Sequence, residues 1–388
     1  MDRAELVHEN FLRRVAARDF PEGPAPSIDL APTRMTGLFR AQCLSRQLDR
    51  ASRALQKAGQ GFYTIGSSGH EGMAAIADTL RPTDMAFLHY RDAAFQIARA
   101  AQVPGQTPAW DMLLSFAASS DDPISGGRHK VLGSRTLNIP PQTSTIASHL
   151  PKAVGAAYSI GLSRRCPPEQ VHLPEDAIIL CSFGDASANH STAQGAINAA
   201  CWSAWQSAPM PLLLVCEDNG IGISTPTPRG WIAANFAHRP GLTYFSCNGL
   251  DLADTLRVSQ EAADFVRRHR KPAFLHLSTV RLYGHAGSDL QQAYLGKHIF
   301  EGWEADDPLL HSARLLIDKG TLTAEETLSI YQDSEDQCTR VAAEVIKRPR
   351  LKTADQVMAS LVPPARINAP TNGPSPKARE AAFGSDYK

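Results

Sequence analysis

Three short apolar runs constrain the fold more than any other feature of the sequence. They cover residues 177–183, 212–216 and 273–280, and each is followed by a turn that contains Gly or Ser. Helical patterns separate the runs, and the first pattern places small or apolar residues on one face, namely Ala193, Ala196, Ile197, Ala200, Cys201 and Ala204. Continuous apolar strands that alternate with helices are typical of a parallel sheet with both faces covered. The chain is therefore predicted to adopt an α/β fold.

Helical patterns also lie before and after these runs. Apolar residues recur at three-to-four spacing over residues 34–57, and a second helix is predicted to start near Glu71 and to stop at Pro82. Further along, Thr323 and Glu326 have the spacing of a capping box, which predicts another long helix.

The composition along the chain suggests three parts. Residues 1–33 mix charged residues with Pro and Gly, and we predict an N-terminal arm made of a helix and an irregular stretch. Residues 34–360 are predicted to form one domain. Residues 361–388 are rich in Pro and are predicted to be a disordered tail or a linker.

The charge balance and the hydropathy exclude several classes of function. The 388 residues include 39 Lys and Arg and 39 Asp and Glu, which argues against binding to nucleic acid or to an acidic membrane. No apolar stretch approaches the roughly 20 residues of a membrane-spanning helix, and the first residues lack the apolar core of a signal peptide. The seven cysteines form no C-x-x-C pair and indicate buried thiols in a reducing compartment. We therefore expect a cytoplasmic protein with no nucleic-acid or membrane partner.

Polar residues follow the first two apolar runs where the predicted strands end. Gly184 and Asp185 follow the first run, and Asn219 follows the second. Ligands of parallel α/β sheets bind beyond the carboxyl ends of strands, where glycine allows close approach and helix N-termini offer N–H groups to phosphate. Carboxylate and amide oxygens also suit Mg²⁺. Either loop alone is more often a simple turn, but the pair predicts a cation and phosphate site.

These two loops carry a recognisable likeness. Gly184-Asp185, a helix that contains Asn198, and the segment 217–220 (Glu-Asp-Asn-Gly) resemble the thiamine-diphosphate motif GDG…NN. The wider likeness is to the α subunit of 2-oxo acid dehydrogenase E1 components, a group that includes pyruvate, branched-chain 2-oxo acid and acetoin dehydrogenases. It extends over residues 35–308, and it implies a three-layer α/β thiamine-diphosphate fold with a parallel sheet and helices on both faces.

The resemblance also implies a set of site residues. Segment 89–92 is similar to the family's Tyr-Arg segment, segment 144–146 to its aminopyrimidine-binding segment, and segment 284–289 to its histidine loop. The residues implied to bind thiamine diphosphate are Tyr90, Arg91, Ser144, Ile146, Gly184, Asp185, Ala186, Asn219 and His285. Those implied to hold Mg²⁺ are Asp185, Asn219 and the carbonyl of Ile221. His285 is the implied catalytic residue, since a histidine that titrates near neutrality can donate to phosphate and move a proton.

Three positions depart from the family pattern. Ala186 replaces the second Gly of GDG and places a Cβ near the diphosphate. Asp218 replaces the first Asn of NN and adds a carboxylate near the metal. Ala286 replaces a Ser that is phosphorylated in some members, so we predict no such switch there.

The Gly/Ser-rich segment 66–71 has two interpretations. It lacks the Gly-Lys-Ser/Thr ending of a P-loop. We favour a structural turn beside the active site, and the alternative is that His70 faces the substrate.

The implied activity is oxidative decarboxylation of a 2-oxo acid, branched-chain or pyruvate, with acyl transfer to a lipoyl group. By the same likeness, a glutamate of an E1 β subunit activates the cofactor. The implied partners are therefore a β subunit, in an α₂β₂ or related assembly, and a lipoyl-bearing E2 component. The α part is also found fused to its β part in some relatives, and the sequence leaves both arrangements open.

Two other functions remain open at this point. One is a non-catalytic cofactor-binding or assembly subunit of the same fold, which the changes at Ala186 and Asp218 keep in consideration. The other is a nicotinamide-dependent Rossmann dehydrogenase, against which counts the absence of G-x-G-x-x-G after any predicted strand.

Overall fold

The protein contains a parallel sheet in a computed structural model, which describes residues 2–23, 30–62, 65–142, 145–163, 166–361 and 373–384. The strands are β1 (Met85–Phe87), β2 (Ile179–Gly184), β3 (Leu212–Asp218), β4 (Ile221–Gly222), β5 (Thr225–Pro226), β6 (Thr243–Asn248) and β7 (Ala273–Ser278). The sheet has the order β1-β2-β3-β7-β6, and its neighbouring strands all run parallel. The carboxyl ends of its strands therefore lie along one edge.

Helices occur between these strands and on either side of them in the sequence. They are α1 (Arg3–Ala17), α2 (Pro32–Lys57), α3 (Met73–Thr79), α4 (Ala93–Ala100), α5 (Pro108–Phe116), α6 (His149–Leu162), α7 (Ser191–Trp205), α8 (Trp231–Phe236), α9 (Leu252–His269), α10 (Lys297–Ala305), α11 (Pro308–Asp318), α12 (Ala324–Val345), α13 (Ala354–Met358) and α14 (Pro376–Phe383). Among the described residues, each of these helices is too short or too polar to span a lipid bilayer.

Alternate residues of the strands enter two separate hydrophobic cores. In β3, Leu213 and Val215 join a core that includes residues of α2, α3, α4 and α9, whereas Leu212, Leu214 and Cys216 join a core built with α6, α7 and α8. Successive side chains of a strand point to opposite faces, so a strand that is apolar throughout needs a cover on both sides. The predicted parallel sheet with helices on both faces is confirmed.

The individual elements agree with the periodicity in most places. The helix over residues 34–57 and the capping box of Thr323 and Glu326 are present, and all six residues of the predicted apolar face of α7 are buried. The helix expected from Glu71 begins at Met73 and ends at Thr79. The sequence pattern does not predict two edge strands, β1 and β6, because β1 is only three residues long and β6 is half exposed and carries polar residues.

The chain divides into two compact units, Met1–Arg350 and Leu351–Lys388. In the first unit, Phe11 and Val15 of α1 belong to the larger core, so the helix of the predicted N-terminal arm is packed rather than free. In the second unit, α14 lies within the tail expected to be irregular, and it begins where the Ser375 side chain caps the N–H of Ala378. Residues 362–372 and 385–388 of the predicted tail lie outside the described residues. The boundaries at residues 33 and 360 stay predictions.

Candidate active site

A cavity of about 340 Å³ opens at the carboxyl edge of the parallel sheet. Its walls come from the segments after β1, β2, β3 and β7 and from the segment before α6. It brings together nine of the residues expected from the sequence, namely Tyr90, Arg91, Ile146, Gly184, Asp185, Ala186, Asn219, Ile221 and His285. His89, Ser187, Asn189, His190, Gly222 and Ile223 also line it. Ser144, the tenth expected residue, lies outside the described residues.

Residues with oxygen atoms suited to a cation line this cavity. β2 and β3 pair in parallel with Gly184 opposite Glu217, so Asp185 and Asn219 leave the sheet side by side. Asp185 accepts a hydrogen bond from the Thr227 hydroxyl, and burial raises the pKa of its carboxyl to about 6. A bound divalent cation would lower that pKa, and carboxylate, amide and carbonyl oxygens are the ligands that Mg²⁺ prefers. The residues present therefore fit the predicted metal.

Donors suited to an anion line the same cavity. Arg91 is buried, and its guanidinium donates to the carbonyl of Gly66 (2.6 Å) and to the carbonyl of His285 (3.1 Å). The same guanidinium lies 3.2 Å from Nδ1 of His285. The turn that presents Arg91 is closed by Asp92, whose carboxylate accepts from the backbone N–H of His89 at 3.1 Å. A guanidinium held in this way suits a phosphate group.

The contact with Arg91 defines the protonation of His285. A guanidinium only donates hydrogen bonds, so Nδ1 of His285 is the acceptor and the ring proton of the neutral imidazole is on Nε2. Burial, together with the charges of Arg91 and Arg281, lowers the pKa of His285 to about 4. The pKa of His285 in this structure therefore lies well below neutrality, in contrast to the prediction from the sequence. His285 is a neutral donor through Nε2, and a nearby phosphate would raise its pKa.

A buried cluster of titratable groups lies beneath the cavity. Glu217, at the end of β3, lies 2.5 Å from Nδ1 of His70 and 3.1 Å from Nδ1 of His89, and all three residues are buried. Burial raises the pKa of Glu217 to about 8 and lowers that of His89 to about 3. Burial also raises the pKa of Asp92 and lowers that of His70. His70 is fully buried and does not line the cavity, so it does not face a ligand there.

The cavity accommodates Ala186 through a glycine on the facing strand. A Cβ placed on Gly222 of β4 would lie 2.3 Å from the Cβ of Ala186. Because Gly222 has no Cβ, there is room for the Cβ of Ala186 where the family motif has a second glycine. The departure at Ala186 leaves the cavity open.

Asp218 is directed to partners other than the predicted metal ligands. Its carboxylate accepts from His276 Nε2 on β7 at 2.8 Å and from the backbone N–H of Gly220 at 3.0 Å. The hydroxyl of Tyr244 on β6 lies 2.7 Å from the other nitrogen of His276. These contacts place the extra carboxylate in a polar chain across neighbouring strands.

Comparison with known proteins gives one consistent result. The family described as dehydrogenase E1 component matches residues 39–354. The chain belongs to this family. The resemblance predicted from the motifs is thus confirmed, and thiamine diphosphate is the cofactor of this family. Membership also overturns the nicotinamide-dependent alternative.

Curated relatives carry consistent names. The 2-oxoisovalerate dehydrogenase subunit alpha of Bacillus subtilis is 25% identical over 327 residues, which cover 80% of this chain and 92% of that protein. The mitochondrial subunits alpha of that name from mouse and human are 24% and 22% identical, over 84% and 90% of this chain and 72% and 77% of theirs. These matches place the chain among E1 α components of 2-oxo acid dehydrogenases, which are oxidoreductases.

Sequence reasoning missed the buried cluster of His70, His89 and Glu217 in this E1 component. In the sequence Glu217 is only one residue of a motif, although a carboxylate that directly follows a buried apolar run is itself an unusual signal. His89 stands out only as the neighbour of Tyr90. Their contact depends on the register between β2 and β3 and on the turn after β1.

Proposed function

We propose that this chain is the α subunit of a thiamine-diphosphate- and Mg²⁺-dependent enzyme that oxidatively decarboxylates a branched-chain 2-oxo acid and transfers the acyl group to a lipoyl group. The observation that carries the proposal is one cavity lined both by Asp185 and Asn219, whose oxygens suit a cation, and by Arg91 and His285, whose donors suit an anion. A metal diphosphate needs both kinds of group in one place.

Each group of residues around the cavity has a proposed role. Asp185, Asn219 and the carbonyl of Ile221 would hold Mg²⁺. Arg91 and His285 would bind the diphosphate, the backbone at Gly184 and Ala186 would approach it closely, and Tyr90, Ser144 and Ile146 would position the rings. When bound, thiamine diphosphate supplies a nucleophilic carbon and an electron sink for decarboxylation.

His285 has the best-defined chemical role among these residues. Its Nε2–H donates, while Arg91 holds the ring through Nδ1 and through the backbone carbonyl. A donor held in this way would hydrogen bond to an anionic oxygen without reorganisation. We propose that His285 also handles a proton during acyl transfer, since a bound diphosphate would raise the pKa of its ring.

The substrate class rests on the relatives and on the apolar wall of the cavity. The relatives are named for 2-oxoisovalerate, a branched-chain 2-oxo acid. Ile146 and Ile223 line the cavity and are 42% and 53% exposed. Exposed apolar side chains at the mouth of a cavity suit an aliphatic substrate or the covering face of another subunit.

The proposed assembly follows from what the chain contributes. E1 α subunits of this type pair with a β subunit and an E2 component. We propose that a β subunit supplies the glutamate that activates the cofactor and closes the exposed side of the cavity.

Two measurements test the proposal. First, thermal melting should shift upward with thiamine diphosphate plus Mg²⁺ and much less with either alone, because each completes the site of the other. No shift at saturating cofactor, with the β subunit present, would contradict cofactor binding. Second, the assembled α and β subunits should release carbon dioxide from 2-oxoisovalerate faster than from pyruvate. Cofactor binding without turnover would instead favour a non-catalytic assembly subunit.

A further inference from the structure

His70 connects the buried Glu217 to the predicted metal ligand Asn219. Its Nδ1 lies 2.5 Å from Oε2 of Glu217, and its Nε2 lies 3.1 Å from Nδ2 of Asn219. The His70 side chain is fully buried, so both ring nitrogens are used within the protein. Three side chains thus form a continuous chain of hydrogen bonds that ends at the cavity wall.

The turn that carries His70 is sterically fixed. Gly69 has a positive φ of 102°, and a Cβ there would lie 1.9 Å from the carbonyl oxygen of Val280. The N–H of Gly69 donates to Glu71 at 2.7 Å, and the N–H of His70 donates to Ser67 at 2.9 Å. These contacts fix the backbone of the turn from which the His70 imidazole reaches Asn219.

The backbone also defines which way the Asn219 amide points. The N–H of Ile221 lies 3.1 Å from one terminal atom of the Asn219 side chain. A backbone N–H only donates, so that atom is Oδ1 and the other is the NH₂ group. The NH₂ group can only donate to His70, so Nε2 of His70 is the acceptor. The ring proton of His70 is consequently on Nδ1, where Glu217 accepts it.

We propose that His70 is a positioning residue that keeps Oδ1 of Asn219 turned toward the metal. Glu217 selects the tautomer of His70, and His70 in turn anchors the amide of Asn219. The proposal rests on the proposed function, because it assumes that Asn219 binds Mg²⁺. His70 itself does not line the cavity.

The anchor matters because the two ends of an asparagine amide are opposite in character. Oδ1 is a good ligand for Mg²⁺, whereas the NH₂ group cannot bind a cation. Loss of a residue that orients a metal ligand commonly weakens metal affinity by about 10- to 100-fold. His70→Leu should therefore weaken Mg²⁺ binding in this range.

The test is calorimetric titration of Mg²⁺ into the full chain, assembled with its β subunit and saturated with thiamine diphosphate. His70→Leu should lose affinity, and His70→Gln should retain most of it, because a glutamine amide can donate to Glu217 and accept from Asn219. His149→Leu is the matched control. It removes another buried imidazole, bonded to the carbonyl of Ser182 at 2.7 Å, and should leave Mg²⁺ affinity unchanged.

A second variant separates orientation from packing. In Asn219→Asp both terminal atoms are oxygens, so the anchor is no longer needed and the loss caused by His70→Leu should shrink. The positioning role would be refuted if His70→Leu left Mg²⁺ affinity unchanged, or if it lowered the affinity equally with Asn219 and with Asn219→Asp. Neither result would refute the proposed metal site. If the unaltered assembly binds no Mg²⁺ with thiamine diphosphate, the proposed metal site and this role both fail.

Discussion

Replacing Gly222 with alanine should damage the cavity by a purely steric effect. The new Cβ would lie 2.3 Å from the Cβ of Ala186, whereas ordinary contact begins at 3.4 Å. The backbone of Gly222 is not in the left-handed region, so alanine brings no torsional penalty there. β4 and the start of the segment after β2 would have to separate by about 1 Å, and overpacking of this kind costs about 1–3 kcal/mol.

The assay combines urea denaturation with cofactor binding. Gly222→Ala should lower the free energy of unfolding by about 1–3 kcal/mol. It should also weaken binding of thiamine diphosphate with Mg²⁺, because Ala186 lines the same cavity. Gly195→Ala in α7 is the matched control. Its Cβ would meet nothing within 4 Å, so it should stabilise the helix by about 0.5–1 kcal/mol.

A compensating change completes the test. In the double variant Gly222→Ala with Ala186→Gly, the new Cβ keeps only ordinary neighbours, Cα of residue 186 at 3.7 Å and the Thr225 carbonyl at 3.9 Å. The double variant should therefore recover most of the lost stability and affinity. A single variant as stable as the unaltered protein would refute the steric argument, and a double variant no better than the single would show that another contact is responsible.

Three further predictions concern charged groups. Asp185→Ala should abolish the thermal shift caused by thiamine diphosphate with Mg²⁺, and a retained shift would remove Asp185 from the site. Mg²⁺ affinity should rise between about pH 5 and about pH 7, because Asp185, with a pKa of about 6, must lose its proton to bind the metal; titration at several pH values measures this. Arg46→Met should lower the free energy of unfolding by about 3–5 kcal/mol, because it leaves the buried carboxylates of Asp307 and Glu71 without their partner. Urea denaturation measures this loss. Arg257→Met breaks only exposed ion pairs and should change the free energy of unfolding little.

Much of the site could be read from residue types and their order. Gly184, Asp185 and Asn219 directly follow apolar strands, and parallel strands bring their carboxyl ends to one edge. That rule is local in sequence, so a single chain is sufficient to apply it. Tyr90 and His285, which also line the cavity, are predicted only from the likeness of their segments to those of the family.

Other features depend on distances between segments that are remote in sequence. His70 and Glu217 are 147 positions apart, and their contact exists because the turn before α3 packs against the end of β3. Gly222 compensates for Ala186 only because β4 lies across from the segment that follows β2. The two residues of such a pair have no fixed separation in the sequence, so a sequence motif cannot reveal their contact.

The amino-acid sequence by itself determined the parallel sheet, the positions of its loops and the chemical types of the side chains around the cavity. These properties follow from local periodicity and from the uniform direction of parallel strands. Only the tertiary structure decided the protonation of His285, the burial of His70 and the direction of the Asp218 carboxylate. Burial and hydrogen-bond partners set these properties, and both arise when distant segments pack together.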